Sequence, residues 1–373
     1  MAGIYIHIPF CKQFCTYCDF YSSTSLARKP EVLGAICDEL EQQAGFLNDR
    51  KIGTVYFGGG TPSLCSPGEV GRILGRIGEL FDVSALEETT LEANPDDLTA
   101  EYAAAVREAG INRLSIGVQS FIDRDLRWMN RRHTAEGARA AVQNARAAGF
   151  SNITIDLIYG IPGMTLQEWE YNLREALSLG APHISAYHLT IEDGTPLGKE
   201  LKKGKIAPVG DEASEEQYLL LHDALTGAGY EHYEVSNFAK PCMRAVHNGN
   251  YWKGREYLGV GPAAHSYNGR QRRWNVADVS EYLKKQPLGK HSETEELTAG
   301  MLYNEYVMTA LRTADGVDAK VLLEKFGARR LQFFTSRCER FLRLGTMAEN
   351  NGVYRITAEK FLVSDAVIAE LFA

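Results

Sequence analysis

From residue 1 to about 190 the chain alternates short β-branched runs with stretches of helical periodicity, and this alternation limits the fold more than any other feature. A helix between two strands carries the chain back along the sheet, so the next strand must run parallel to the last. Strands are expected at Ile4–Ile8, Thr54–Phe57, Thr89–Ala93, Arg113–Val118, Asn152–Ile158 and His183–His188. Ser66, Pro67 and Glu69 supply an N-cap, a first-turn proline and a capping-box acid in order, and Thr165 with Glu168 repeats the box. Gly110 and Gly149 mark helix ends just before the next strand. Six such βα units predict an α/β fold, a partial and open (β/α)6 barrel, with its chemistry at the C-terminal ends of the strands.

Past the sixth strand the rhythm breaks, at Glu192 to Pro196 and a basic stretch around Lys202 to Lys205. Three units are expected: residues 1–200 as the barrel, 201–292 as its extension, and 293–373 as a small winged-helix-like domain. In the extension a helix is expected at Glu212 to Leu225, followed by a run from Tyr230 to Tyr267 rich in aromatics and histidines. The last unit shows helical spacing near Thr298 to Leu311, near Val321 to Phe326, and through Leu331, Phe334, Cys338 and Phe341, then an Asn351-Gly352 turn that opens a hairpin. A winged helix invites a nucleic-acid reading, but the net charge is −8 and no dense basic recognition helix is present. Arg329, Arg330, Arg337, Arg340 and Arg343 read as a solvated helix face.

With 45% hydrophobic and 24% charged residues and a mean hydropathy of −0.25, the composition is that of a soluble globular protein. No apolar run approaches the roughly 18 to 20 residues of a membrane helix. The apolar start, Gly3 to Pro9, runs straight into cysteines and reads as a strand rather than a signal peptide. A cytoplasmic, reducing home is the expectation.

Of seven cysteines, Cys11, Cys15 and Cys18 crowd one loop directly after the first strand. A four-iron cubane has four corners, so three thiolates leave one iron free to take the amine and carboxylate of a small molecule. Structural zinc usually takes four ligands, often as two distant CxxC pairs; no second pair exists, and His7 and Asp19 are the nearest additions. The scattered Cys37, Cys65, Cys242 and Cys338 do not suggest a disulfide framework and read as buried small hydrophobes. The CxxxCxxC spacing resembles that of the radical S-adenosylmethionine (SAM) superfamily, whose members bind SAM at a [4Fe-4S] cluster.

Every later strand end carries polar residues. The second ends in Gly58-Gly59-Gly60-Thr61-Pro62, which is either a tight strand exit or a place where backbone approaches a ligand. The third delivers Glu92, the fourth Gln119 with Arg131 beyond it, and the fifth Asp156. Acids accept from ribose hydroxyls and arginine forks onto carboxylate. Together with Tyr5-Ile6-His7-Ile8-Pro9-Phe10 and Asp156 to Pro162, these motifs are similar to the oxygen-independent coproporphyrinogen III oxidase group over nearly the whole chain. By that resemblance Tyr5, Gly59, Gly60, Thr61, Glu92, Gln119, Arg131 and Asp156 contact SAM, and Cys11, Cys15 and Cys18 hold the cluster.

Two branches of that group differ. The oxidase branch, which decarboxylates coproporphyrinogen III, has a fourth cysteine two positions after the third and a long N-terminal arm; here Phe20 stands at that position and ten residues precede Cys11. The heme-chaperone branch carries His-Asn-x-x-Tyr-Trp, matched by His247, Asn248, Tyr251 and Trp252. That likeness implies heme as cargo and apo-hemoproteins as recipients, and leaves peripheral membrane association and a homodimer open. Imidazole ligates iron, while Tyr and Trp offer flat apolar area to a porphyrin. On the residues alone, a lone histidine among aromatics is more often a hydrogen-bonded core element than an iron ligand. Cys242, His7, His188 and His265 are further candidates, and His7 also reads as a brace for the cysteine loop.

Overall fold

A computed structural model describes residues 1–373. Its first half runs β1 (Ala2–Ile8), α1 (Lys29–Gln42), β2 (Ile52–Gly59), α2 (Pro67–Leu80), β3 (Glu88–Ala93) and α3 (Ala100–Glu108). It continues with β4 (Arg113–Gln119), α4 (Asp123–Trp128), α5 (Ala135–Ala147), β5 (Asn152–Tyr159), α6 (Leu166–Ser178) and β6 (His183–His188). The six strands pair in sequence order and in parallel, as the alternation predicts. Both capping boxes form, and Gly110 and Gly149 take positive φ of 112° and 87°, ending their helices.

Over most of their length the strands alternate. Ile4, Ile6, Val55, Phe57, Leu91, Leu114, Ile116, Ile153, Ile155 and Ile184 are fully or almost fully buried in the apolar core shared with the helices. The intervening residues point the other way, and there they are polar: Tyr5, His7, Thr54, Tyr56, Thr90, Glu92, Arg113, Ser115, Thr154, Asp156, His183 and Ser185. Burying polar groups this densely is tolerable only if they pair with one another or with a ligand.

The second half supplies α7 (Pro196–Lys202), α8 (Asp211–Gly227), β7 (Glu231–Glu234), β8 (Asn237–Ala239), α9 (Val246–Trp252), β9 (Tyr257–Val260), β10 (His265–Tyr267), β11 (Gln271–Asn275), α10 (Val279–Lys285) and β12 (Ser292–Glu296). These strands extend one sheet at both edges, in the order β12-β11-β10-β9-β1-β2-β3-β4-β5-β6-β8-β7. Because β12 still pairs with β11, the sheet runs on to Glu296, past the boundary drawn at residue 292. Glu39 of α1 fixes the extension beside β1: fully buried, it accepts from Gly261 N (2.8 Å), Asn275 Nδ2 (2.7 Å), Tyr282 Oη (2.7 Å) and His291 Nε2 (2.9 Å).

The C-terminal unit contains α11 (Ala299–Leu311), β13 (Val317–Asp318), α12 (Ala319–Phe326), α13 (Ala328–Arg343), β14 (Met347–Asn350), β15 (Val353–Ile356) and α14 (Ser364–Ala369). Helices α11, α12 and α13 and an antiparallel β13-β15-β14 wing give the winged-helix-like shape, with Asn351 and Gly352 at positive φ in the turn. Cys65 and Cys338 are buried as expected of small hydrophobes, whereas Cys37 is only half-buried and Cys242 is exposed.

Candidate functional site

Strand β1 delivers the chain straight into the cysteine loop, and a neighbouring segment holds that loop in place. Asn130, at φ 57°, donates Nδ2 to Phe14 O (2.7 Å) and accepts from Gln13 Nε2 (2.7 Å), while Thr16 N donates to Met129 O (3.2 Å). All three cysteines are partly exposed; burial raises the Cys11 thiol and lifts Cys18 to about 11, with the neighbouring thiols a smaller cause in both. Thr61 Oγ1 donates to Cys11 Sγ and Arg131 Nη1 to Cys15 Sγ, both at 3.4 Å. Hydrogen bonds to sulfur are among the features that set an iron–sulfur cluster's potential.

The glycine run closes against β1. Gly60 N donates to Ile8 O (2.9 Å) and Thr61 N to Phe10 O (2.7 Å). A β-carbon at Gly59 would lie 2.6 Å from the His7 ring, and one at Gly60 would lie 2.7 Å from Phe10 O. These glycines therefore make room for protein, at the exit of β1, and the two backbone donors of the turn are already engaged.

Glu92, Gln119, Arg131 and Asp156 converge on the rim beyond. Glu92 accepts from Tyr56 Oη (2.8 Å) and Gly59 N (3.2 Å), and Asp156 accepts from Ser115 Oγ (3.0 Å). Burial raises Glu92 to about 7 and Asp156 to about 6, against hydrogen bonds from Tyr56 and Ser115 that favour the carboxylates. Arg131 Nη2 donates to Asn94 Oδ1 (2.7 Å) and Gly117 O (2.6 Å), while its buried Nε has no partner. Gln119 holds a positive φ of 66°, a strained backbone of the kind found at ligand sites. An unpartnered guanidinium nitrogen and two carboxylates with unused lone pairs fit a ligand bearing a carboxylate and hydroxyls, as SAM does.

Beside this rim lies a cavity of about 970 Å³, within the size range of small-molecule sites. Tyr5, His7 and the Asp19–Tyr21 segment form its wall toward the cysteine loop, Tyr251 and Trp252 of α9 another, and Tyr257, His265, Tyr267 and Arg272 a third. Leu302, Glu305, Tyr306 and Met308 of α11 with Lys325 and Phe326 of α12 complete it. The sequence pointed to the aromatic run through Tyr267, but not to the contribution of α11 and α12, which only the packing of the last unit onto the sheet reveals. Arg272 Nη2 pairs with Glu305 (3.0 Å) and leaves its buried Nε without a partner.

His247 does not reach this cavity, which corrects its reading as an iron contact. It plugs the opposite, N-terminal end of the barrel. There Nδ1 bonds Thr54 Oγ1 (2.8 Å), Nε2 bonds Tyr251 Oη (2.8 Å), and the ring stacks on Tyr56 at 5.0 Å. Glu88 accepts from Val246 N and His247 N (both 2.8 Å), anchoring the start of α9. With both nitrogens committed and its pKa driven by burial to about 3, His247 is a satisfied core residue; Tyr251, four residues on, carries the helix from plug to cavity. His7 does brace the loop, through Nε2 and Tyr21 O at 3.0 Å. His188 bonds Ser214 Oγ (3.0 Å) and, like the exposed Cys242, lies outside the cavity.

Comparison with known proteins fits this geometry. The model of the radical SAM superfamily matches residues 5–176, and that superfamily implies SAM and a [4Fe-4S] cluster. The solved coproporphyrinogen III oxidase (HemN) of Escherichia coli has a TM-score of 0.85 at 22% identity, covering 100% of this chain and 90% of its own, so the fold is shared. The protein named heme chaperone HemW of Lactococcus lactis is 37% identical over 86% of this chain and 83% of its own. The heme chaperone HemW of Bacillus subtilis is 34% identical over 98% of each chain. No helix is long and apolar enough to cross a membrane. With such identity sustained from end to end, the chain belongs to the radical SAM superfamily and, within it, to the HemW family.

Proposed function

We propose that this protein is a heme chaperone: it holds heme in the aromatic cavity and passes it to apo-hemoproteins, with a [4Fe-4S] cluster and SAM bound at the adjoining rim. The observation that carries the reading is the cavity itself, in which Tyr251 and Trp252 face a chamber that shares Tyr5, His7 and Asp19–Tyr21 with the cysteine loop. Aromatic walls cover the faces of a flat porphyrin, and Lys253, Arg255, Arg272 and Lys325 offer cations to its propionates.

Cys11, Cys15 and Cys18 would hold the cluster, with Thr61 and Arg131 donating to its cysteine sulfurs. Bound there, it supplies an electron and an open iron for the amine and carboxylate of SAM. Glu92 and Asp156 would accept from the ribose hydroxyls, and Arg131 has a free Nε for a carboxylate. Tyr5 lies where the two chambers meet, its ring 6.1 Å from Tyr56 and its hydroxyl 3.2 Å from His7 Nδ1. The Gly59–Thr61 turn serves as the clamp that sets the cysteine loop against β2.

The competing reading is oxidative decarboxylation of coproporphyrinogen III. Phe20, 65% exposed on the cavity wall, offers no thiolate where the resemblance places the oxidase's fourth cysteine. One anaerobically reconstituted preparation, with SAM and reductant, separates the two. Heme uptake followed by transfer to an apo-cytochrome, without conversion of coproporphyrinogen, is the result for a chaperone; conversion to protoporphyrinogen overturns it.

A further inference from the structure

If heme occupies this cavity, its iron needs a donor, and the family motif's histidine is committed elsewhere. Resting on the carrier reading above, we propose that His265 is the protein ligand to the heme iron. It lines the cavity from β10, and no hydrogen bond engages either ring nitrogen. His7, the other histidine on these walls, bonds Tyr5 Oη through Nδ1 and Tyr21 O through Nε2.

The backbone under His265 is built to hold it still. A β-carbon at Gly259 would lie 2.0 Å from His265 O, so only glycine permits the close approach of β9 and β10 there. Ser266 Oγ bridges that contact, accepting from Gly259 N (2.9 Å) and donating to Gly259 O (3.2 Å). Across the ladder His265 pairs with Trp274, whose indole stacks on the imidazole at 6.4 Å and 28°. Two residues earlier Ala263, also on the cavity wall, holds a φ of +62°, a strain of the kind stored at ligand sites. An imidazole with free nitrogens on so fixed a backbone is preorganised for a metal.

Other donors are weaker. Burial raises the phenols of Tyr251, Tyr257 and Tyr267, which opposes ligation as phenolate. Burial lowers His265, aided by Arg272, so the neutral, ligating form prevails at neutral pH. Met308 is the one thioether on the walls.

The test is titration of the full-length protein with heme and, in parallel, with metal-free protoporphyrin IX, which binds through its ring and propionates alone. His265→Ala should bind heme about tenfold more weakly or worse, with a shifted Soret band and altered electron paramagnetic resonance. It should bind the metal-free porphyrin as wild type does, which also reports an intact cavity. His265→Cys should restore heme affinity with a thiolate-type spectrum. Wild-type heme affinity and spectrum in His265→Ala would overturn the assignment, as would loss of the ligand signature in Met308→Leu alone. A variant that loses both porphyrins equally also overturns it, since His265 would then shape the cavity rather than ligate. Failure of the wild-type protein to take up either porphyrin would instead sink the carrier reading, and this ligand with it.

Discussion

At the N-terminal end of the barrel, Thr54, Glu88 and Tyr251 close around His247, and Arg113, Thr154, His183 and Tyr233 continue a paired network beside it. At the C-terminal end, Glu92, Asp156 and Arg131 are partly buried, and each keeps hydrogen-bonding capacity that the protein does not use. Composition hardly distinguishes the two ends. The difference is where the spare capacity lies: below, Arg113 Nε, with Glu88 3.8 Å away, and Asn152 Oδ1 lack partners but face no cavity, whereas spare capacity above coincides with thiols, a strained Gln119 and a cavity. Buried polarity alone therefore does not mark a site, and unused valence beside an opening does.

The comparison breaks most sharply on iron. Cys15→Ala should reduce reconstituted iron from about four atoms per chain to near zero, measured by chemical analysis, whereas His247→Ala should keep its full complement. Iron loss in the second variant with the fold intact would erase the distinction between the ends.

Stability should show the reverse pattern. His247→Ala removes a buried ring and strands Thr54 and Tyr251, so urea unfolding should fall by about 3 kcal/mol, with heme affinity retained in the folded fraction. The same histidine makes the plug acid-labile. Its folded pKa of about 3 lies below the ordinary 6.5, so its contribution is present above 6.5 and is lost as pH falls toward 3. His247→Gln should flatten that part of the acid-unfolding curve.

Glu92 sharpens the comparison from the other side. Its pKa of about 7 leaves it half protonated at neutrality, and only the carboxylate favours the ribose hydroxyls and sulfonium of SAM. SAM affinity should thus rise by about tenfold between about pH 6 and pH 8, and Glu92→Gln should bind weakly with no such rise. The smallest effect belongs to a position remote from both ends: Ser66→Ala, which removes the capping box of α2, should cost about 1 kcal/mol and leave cofactor binding unchanged.

The strands were legible because their period-2 apolar face is local information: β6 spans His183–His188 as expected, and the other five gain no more than two residues at either end. The rim was legible for a related reason, since in parallel βα units each strand end is a fixed place: Glu92 and Gln119 stand at two of them, and Asp156 lies within β5, three residues before its end. His247 was misplaced because its motif says nothing about which end of the barrel α9 enters; that depends on Glu88 and Thr54, about 160 and 190 residues earlier. The cavity's far wall was hidden likewise, because α11 and α12 meet β10 and β11 only through long-range packing such as Arg272 to Glu305.

Iron-edge anomalous scattering from crystals of protein loaded with both cluster and heme tests the central claim most directly. The account predicts one iron cluster against Cys11, Cys15 and Cys18 and a separate iron in the cavity within bonding distance of His265. An isolated iron at His247, or heme seated outside the cavity, would contradict it.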